Sequence, residues 1–182
     1  MVFVPPWDGA AIPQGWASAL DDAGIIFVAA NNSGNDAPVH VRRMPLALIA
    51  AVNVMHRYQV DPSRAFVAGM SGGSRVALRL ALAYPDVFVG AFLNSGSDPI
   101  GTTEIPLPPA DLFQKFQTSS RIYYVTGDLD RVPYNDDRAS ARSLADFCVA
   151  NVQMVTMWGK AHVTAEESVL SNVLDGMFKA AS

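Results

Sequence analysis

The sequence predicts an α/β fold, a three-layer α/β/α sandwich built around a mostly parallel six-stranded sheet. Six short apolar runs alternate with helical patterns along the 182 residues. These runs lack the polar alternation of half-exposed strands, so both faces of the sheet are expected to lie beneath helices. Half of the residues are apolar, which suits one domain over residues 1–182 with a single core.

The elements follow one another in a regular order. The apolar runs predict strands over residues 2–4, 25–30, 64–68, 87–93, 122–126 and 152–157. The helical patterns predict helices over residues 14–23, 45–58, 73–84, 110–116, 136–150 and 164–180. Because ligands bind at the carboxyl ends of parallel strands, functional side chains are expected directly after strands.

Composition excludes several classes of function. The formal net charge is −4, and Arg42-Arg43 is the only adjacent basic pair, so no basic stripe indicates a nucleic-acid partner. Cys148 is the single cysteine, which rules out an internal disulfide. No apolar run approaches the roughly 20 residues of a membrane span, and no signal-peptide pattern opens the chain. A cytoplasmic location is the default expectation, with secretion from a longer precursor left open.

A glycine-rich turn follows the third predicted strand. Gly69-Met70-Ser71-Gly72-Gly73 matches the pattern G-x-S-x-G, and a helix follows at once. Without side chains at Gly69 and Gly73, strand and helix can approach closely and expose the Ser71 hydroxyl at the apex. The N–H of Gly72 would serve as one oxyanion donor. The alternative is an incidental serine in a tight turn, but the strand–turn–helix context favours a nucleophile.

A serine nucleophile needs a base, and the chain has three histidines. His56 lies within the long predicted helix and reads as a surface residue. His40 lies in the loop before that helix and could approach the site, although nothing requires it. His162 lies between the last strand and the last helix, at the predicted carboxyl edge of the sheet. His162 is therefore the favoured base.

Two carboxylates compete to orient that base. Asp128 and Asp130 both follow the fifth predicted strand. Asp128 could stabilise a turn after the preceding glycine, whereas the position of Asp130 further along the loop favours it as the acid. The chain order is then Ser71, Asp130, His162.

With these residues placed, the sequence resembles the α/β-hydrolase superfamily, most closely the esterases similar to polyhydroxyalkanoate depolymerases and feruloyl esterases. Two stretches carry the resemblance: Val60-Asp61-Pro62-Ser63-Arg64 continuing through the serine turn to Ala83-Tyr84-Pro85-Asp86-Val87-Phe88, and Thr126-Gly127-Asp128-Leu129-Asp130 with Val132-Pro133-Tyr134. It implies an acid three residues after a glycine, which matches Asp130. It also implies a carboxylesterase that works through an acyl-enzyme on Ser71, with neither metal nor organic cofactor.

The chain departs from this family before the first predicted strand. Two further strands usually precede the strand that residues 2–4 resemble, so we expect a minimal α/β-hydrolase fold lacking the first two strands. The strand over residues 25–30 would then lie at a sheet edge. An apolar edge strand invites covering or pairing, which suggests a homodimer or a lost N-terminal segment.

The oxyanion loop departs as well. The His-Gly pair expected there is replaced by Pro5-Pro6-Trp7-Asp8-Gly9. Proline has no N–H to donate, so the backbone of Trp7 is the predicted second oxyanion donor, and its ring can pack beneath the loop. The family's aromatic residue after the histidine is also missing, since Val163 follows His162, which argues against polymer degradation.

The loop over residues 94–109 is too short for a cap domain, so the site is predicted to be open. Its walls would include Tyr134, Trp158 and Asn31. Such a site suits short acyl esters or an ester exposed on a bulky molecule. Two alternatives remain: a peptidase or amidase with the same triad, and a non-catalytic binding protein on a hydrolase scaffold.

Overall fold

A computed structural model describes residues 1–178. Six strands form one sheet in the order β2-β1-β3-β4-β5-β6, and every neighbouring pair is parallel. In chain order these strands are β1 Val2–Val4, β2 Val28–Ala29, β3 Phe66–Met70, β4 Gly90–Asn94, β5 Arg121–Gly127 and β6 Asn151–Met157. The predicted parallel six-stranded sheet is confirmed.

The helices lie on both faces of this sheet. They are α1 Trp16–Asp22, α2 Met44–Arg57, α3 Gly72–Ala83, α4 Ala110–Ser119, α5 Arg131–Asp146 and α6 Glu167–Phe178. A π-helical turn, Val39–Arg43, leads into α2, and a 3-10 turn, Pro62–Arg64, precedes β3. Buried side chains of α1 and α6 form one apolar cluster with the sheet, and those of α2 to α5 form the other. This is the predicted three-layer sandwich.

The two central strands have no exposed residue. All five residues of β3 and all five of β4 are buried, because helices cover both faces. Trp16 of α1 is fully buried against Phe92 of β4, with the rings edge to face and their centroids 5.5 Å apart. The indole N–H of Trp16 donates to Ala165 O at 2.8 Å. This bond fastens α1 to the segment that leads into α6.

The predicted edge position of the second strand is confirmed, but its predicted length is wrong. Only Val28 and Ala29 pair with β1, instead of residues 25–30. The N–H of Ile25 donates to Leu20 O at 2.8 Å and closes the end of α1. The first part of the apolar run therefore completes a helix end rather than extending the sheet.

Several other boundaries differ from the predictions by a few residues, and two of these differences have a clear physical reason. The fourth strand begins at Gly90 rather than at residue 87, because the N–H groups of Val87 and Phe88 donate to Tyr84 O and close the end of α3. The fifth helix begins at Arg131 rather than at residue 136. Pro133 lies in its first turn, where N–H groups have no intrahelical acceptor, so proline is tolerated there. The predicted end of the last helix at residue 180 lies outside the described residues.

The segment over residues 95–109, where a cap domain could be inserted, contains no helix or strand. Within residues 1–178, no helix combines the length and the apolar character needed to cross a membrane.

Candidate active site

Ser71 stands alone between a strand and a helix. β3 ends at Met70 and α3 begins at Gly72. The backbone of Ser71 has φ +54° and ψ −123°, a conformation that costs a side-chain-bearing residue on the order of 1–3 kcal/mol. Its N–H donates to Asn94 O, at the end of β4, at 2.8 Å. The turn has the strained strand-to-helix geometry of a nucleophile elbow.

The glycines on either side make this turn sterically possible. A Cβ on Gly69 would overlap the carbonyl group of Gly73, and a Cβ on Gly73 would overlap the carbonyl oxygen of Val4. The start of α3 therefore lies directly against the end of β1. A Cβ on Gly72 would overlap Oδ1 of Asn35, so the loop over residues 31–36 also approaches the elbow. Three chain segments meet beside Ser71.

The predicted base and acid meet at the same edge of the sheet. The Nδ1 atom of His162 lies 2.6 Å from Oδ2 of Asp130. The Asp130 side chain is 11% exposed and that of His162 is 42% exposed. An ionised carboxylate only accepts hydrogen bonds, so this contact assigns the proton to Nδ1 and leaves Nε2 as an acceptor. His40 and His56, the other histidines, are exposed in the π-helical turn and in α2.

Asp128 has a different partner from Asp130. Its Oδ1 atom accepts from the N–H of Gly159 at 2.6 Å, which stabilises the turn after β6. The N–H of Leu129 donates to Lys160 O at 3.0 Å. Both bonds hold the loop after β5 against the loop that carries His162. Asp128 thus has the turn-stabilising geometry considered as its alternative, and Asp130 contacts the imidazole.

Asn94, which the sequence analysis missed, connects the serine turn to the histidine loop. Its backbone oxygen accepts from Ser71 N–H. Its buried side chain accepts from Ala165 N–H at 2.7 Å through Oδ1 and donates to Val163 O at 3.2 Å through Nδ2. One residue therefore fixes the elbow and the segment directly after His162. The signal in the sequence was a polar residue ending an otherwise apolar strand.

No hydrogen bond joins the side chains of Ser71 and His162 in the described part of the chain. His162 lies in one open cleft, which is lined by Trp7, Ala11, Ile12, Pro13, Gln14, Met70, His162, Val163 and Thr164. Met70 directly precedes Ser71, so the cleft reaches the end of β3 next to the serine turn.

The loop over residues 5–9 is held from behind by the loop over residues 31–36. The N–H of Asn35 donates to Pro6 O at 3.0 Å, and the N–H of Asn32 donates to Asp8 O at 2.7 Å. The carboxylate of Asp8 accepts from Gly34 N–H at 3.2 Å. Hydrogen bonds to residues 31–36 therefore fix the loop over residues 5–9, although its sequence departs from the family pattern.

Trp7 lies within this loop. Its ring centroid is 6.2 Å from that of Phe3, and its side chain is 38% exposed, so it packs against the sheet on one side and borders the cleft on the other. In the part of the chain that the structure describes, no protein oxygen accepts a hydrogen bond from the N–H of Trp7.

The three residues predicted as further walls lie elsewhere than in this cleft. Oδ1 of Asn31 accepts from Ala10 N–H at 3.0 Å, so Asn31 is bonded to the residue directly after the loop over residues 5–9. Tyr134 lies in α5, with the guanidinium of Arg138 5.9 Å from its ring centroid. Trp158 follows β6 and is 77% exposed. None of the three belongs to the lining of the cleft that contains His162.

A buried carboxylate lies beneath the site. Asp137 of α5 accepts from the hydroxyl of Ser97 at 2.5 Å and from that of Thr126. Burial raises the pKa of Asp137 to about 6, against the lowering effect of these hydrogen bonds. Ser97 follows Gly96, where an added Cβ would lie 3.3 Å from Ser71 O. Asp137 thus connects the ends of β4 and β5 behind the elbow.

No cluster of three or more histidine, cysteine or acidic side chains suited to a metal ion occurs among residues 1–178. The chemistry available at the cleft is that of a hydroxyl beside an imidazole, a carboxylate and backbone N–H groups.

Comparison with known proteins agrees with this geometry. The family model described as "Esterase PHB depolymerase" matches residues 27–139. A poly(3-hydroxybutyrate) depolymerase of Ralstonia pickettii is 30% identical over 102 residues, which are 48% of this chain and 21% of that protein. The chain therefore spans about a fifth of the length of this relative.

Solved structures of esterases and serine hydrolases share the fold. The fluorophosphonate-binding serine hydrolase F of Staphylococcus aureus has a TM-score of 0.72 at 14% identity, covering 98% of this chain and 83% of its own. The S-formylglutathione hydrolase FrmB of the same organism has a TM-score of 0.70 at 15% identity, with 97% and 79% covered. SOBER1 of Arabidopsis thaliana has a TM-score of 0.65 at 14% identity, with 98% of both chains covered.

At 14–15% identity, these likenesses show the fold alone. The family model, in contrast, matches well over half of the chain, including the serine turn and the loop with Asp130. The chain belongs to the esterase PHB depolymerase family and has an α/β-hydrolase fold.

Proposed function

We propose that the protein hydrolyses carboxylic esters through an acyl-enzyme on Ser71. The observation that carries this proposal is the 2.6 Å contact between His162 and Asp130, at the same sheet edge as the strained turn of Ser71. A hydroxyl on a strained elbow, an imidazole in one tautomer and an acid holding it are the three parts that acyl transfer needs.

In the first half of the reaction, Nε2 of His162 takes the proton of Ser71 as the hydroxyl oxygen attacks the ester carbonyl. The carbonyl electrons move onto its oxygen, which accepts from the N–H groups of Gly72 and Trp7. Asp130 stabilises the imidazolium. The tetrahedral intermediate then expels the alcohol, which leaves with the proton from His162. Each oxyanion donor is worth about 10²–10³ in rate.

In the second half, water attacks the acyl group on Ser71 while His162 accepts its proton. The intermediate collapses, the serine oxygen regains a proton from His162, and the carboxylic acid leaves. The absence of a hydrogen bond between Ser71 and His162 is compatible with these reaction steps, because catalytic hydrogen bonds often form fully only when substrate is bound.

The cleft indicates the kind of ester. Its walls are largely apolar, with Trp7, Ile12 and Val163 among them. Ile12 and Val163 are 45% and 41% exposed, so the cleft is a shallow groove rather than a tunnel. A groove of this kind suits a short acyl chain, or an ester group that projects from a bulky molecule, better than a long fatty acyl chain.

The test compares p-nitrophenyl acetate, butyrate and octanoate with aminoacyl p-nitroanilides, using wild-type protein and Ser71→Ala. We expect turnover of the short esters by wild-type protein and none above background by Ser71→Ala. Anilide turnover without ester turnover would point to a peptidase instead. Failure to turn over any substrate would point to a binding protein.

A further inference from the structure

Arg43 is a buried cation without a carboxylate partner. It is the last residue of the π-helical turn before α2, and 3% of its surface is exposed. No ion pair involves it among the described residues. Burial lowers the pKa of its guanidinium, and an arginine remains charged even so. Burying a charge costs free energy of folding. The hydrogen bonds of this guanidinium therefore show which parts of the fold it stabilises.

The guanidinium donates to three backbone carbonyl groups. Nε–H donates to Ser33 O at 3.0 Å, Nη1 to Gly72 O at 3.3 Å and Nη2 to Pro5 O at 2.9 Å. These oxygens belong to three separate segments: the loop over residues 31–36, the first turn of α3 and the loop over residues 5–9. Arg43 is thus bonded to both of the segments that carry the proposed oxyanion donors.

We propose that Arg43 is the positioning residue of the oxyanion hole, setting the distance between the N–H groups of Gly72 and Trp7. This inference rests on the proposed function. The carbonyl of Pro5 lies two residues before Trp7, and that of Gly72 belongs to the other donor residue itself. A rigid planar fork bonded to both carbonyls fixes one donor segment relative to the other.

The sequence of the loop over residues 5–9 explains why it needs hydrogen bonds from other segments. Pro5 and Pro6 have no N–H groups, so this part of the loop cannot hold itself through its own backbone donors. Its carbonyl groups are instead satisfied from outside, Pro5 O by Arg43 and Pro6 O by the N–H of Asn35. The side chain of Arg43 reaches the end of the loop nearest the nucleophile.

Lysine can reproduce only part of this arrangement. An ammonium presents its donors from one atom, whereas the guanidinium spreads them over a fixed plane. The side chain of the neighbouring Arg42 is exposed and, within residues 1–178, donates only to Asn32 O, at 2.7 Å. Arg42 therefore provides a control of the same charge at the adjacent position, and its guanidinium is bonded to neither Pro5 nor Gly72.

The experiment measures kcat and KM for p-nitrophenyl butyrate with Arg43→Met, Arg43→Lys and Arg42→Met, each normalised to active sites counted with a fluorophosphonate. Oxyanion donors act on the transition state more than on the bound substrate. We therefore expect kcat of Arg43→Met to fall by about 10–100-fold, with KM changed by less than about threefold. Arg43→Lys should recover part of kcat, and Arg42→Met should match wild type.

The pH dependence of kcat/KM should keep its wild-type midpoint in the Arg43 variants, because the pair of His162 and Asp130 is untouched. An unchanged kcat, a loss confined to KM, or an equal loss in Arg42→Met would overturn the inference. If Arg43→Met does not fold, Arg43→Lys decides: a lower kcat at unchanged KM supports the role, and a wild-type kcat refutes it. Ser71→Ala, measured in parallel, separates the two proposals, since turnover by that variant would refute the proposed function itself.

Discussion

His162 and Asp130 lie 32 residues apart in the chain, and their side chains meet with Nδ1 2.6 Å from Oδ2. Two neighbouring parallel strands produce this contact, because Asp130 follows β5 and His162 follows β6. The loops after these strands are further joined by the bonds from Leu129 to Lys160 and from Gly159 to Asp128. The imidazole is therefore oriented by the sheet as well as by its carboxylate.

The two acids of the β5 loop should differ sharply when each is replaced. Asp130→Asn keeps the shape of the side chain but favours the wrong imidazole tautomer, so we expect kcat to fall by about 10³–10⁴-fold. Asp128→Asn keeps an oxygen for the N–H of Gly159, so kcat should stay within about fivefold of wild type. Steady-state kinetics on a short ester measures both. A larger loss in Asp128→Asn would reverse the assignment.

Asn94 should be needed for both stability and rate. Replacing it with leucine leaves Ala165 N–H and Val163 O without their side-chain partner in a buried place. We expect the free energy of unfolding to fall by about 2–4 kcal/mol, from two unsatisfied polar groups at about 1–3 kcal/mol each partly offset by the apolar side chain. The folded fraction should also lose kcat, because the His162 loop is no longer fixed to the elbow.

Urea unfolding of Asn94→Leu measures the loss of free energy of unfolding. The loss of rate in the folded fraction is measured as kcat per fluorophosphonate-reactive site. Ser95→Ala is a suitable control, since the Ser95 hydroxyl accepts from Asn94 Nδ2 but touches neither loop residue. Wild-type kcat per site in Asn94→Leu would contradict the positioning role.

Gly73→Ala tests the close approach of α3 to β1. The added Cβ overlaps the carbonyl oxygen of Val4, so one of the two backbones must move. Overpacking of a core costs about 1–3 kcal/mol or more, and we expect a loss at the upper end with little remaining turnover. Gly9→Ala is the control, because its Cβ would meet only Trp7 Cδ1 at 3.8 Å. Equal thermal midpoints for the two variants would contradict this account.

Asp137 should make the protein less stable as the pH rises from about 4 to about 6. The folded pKa is raised by burial to about 6, from an ordinary value of 3.8. Between these values the native state holds a proton that the unfolded state has lost, so the free energy of unfolding decreases with rising pH. A shift of about two pKa units corresponds to about 3 kcal/mol.

Asp137→Asn cannot ionise, so the contribution of this residue to the pH dependence should disappear. Urea titrations measure the free energy of unfolding of the variant minus that of wild type. This difference should rise by about 2–3 kcal/mol from pH 4 to pH 7. Asp136→Asn, a partly exposed neighbour paired with Arg75, should keep the wild-type pH dependence. Parallel stability curves for wild type and Asp137→Asn would show that Asp137 does not titrate in this range.

Local patterns were enough to predict the parts of the site that follow strands. The serine turn, Asp130 and His162 each follow a strand, and a parallel sheet brings these positions to one edge. The choice of Asp130 over Asp128 also needed its place in the loop and the family resemblance. Arg43 and Asn94 were missed because their partners are backbone carbonyls and N–H groups from distant segments, which leave no pattern of residue types. The π-helical turn that carries Arg43 also has no distinctive pattern of residue types.

The support of the loop over residues 5–9 could not be predicted from the sequence either. Two prolines in place of the expected His-Gly pair made Pro5–Gly9 a departure from the family pattern. The supporting hydrogen bonds come from residues 31–36 and from Arg43, whose proximity depends on the pairing of β1 with β2. That pairing involves only two residues of β2, and its consequence for the loop could not be read from propensity.

The central claim is that Ser71 is the nucleophile, and labelling with a fluorophosphonate followed by peptide mass analysis tests it most directly. We predict one adduct, on the peptide that contains Ser71, in wild-type protein. Ser71→Ala should carry no adduct, and His162→Ala, which still has the hydroxyl but lacks the base, should react far more slowly. An unlabelled wild-type protein, or equal labelling of Ser71→Ala, would contradict the account.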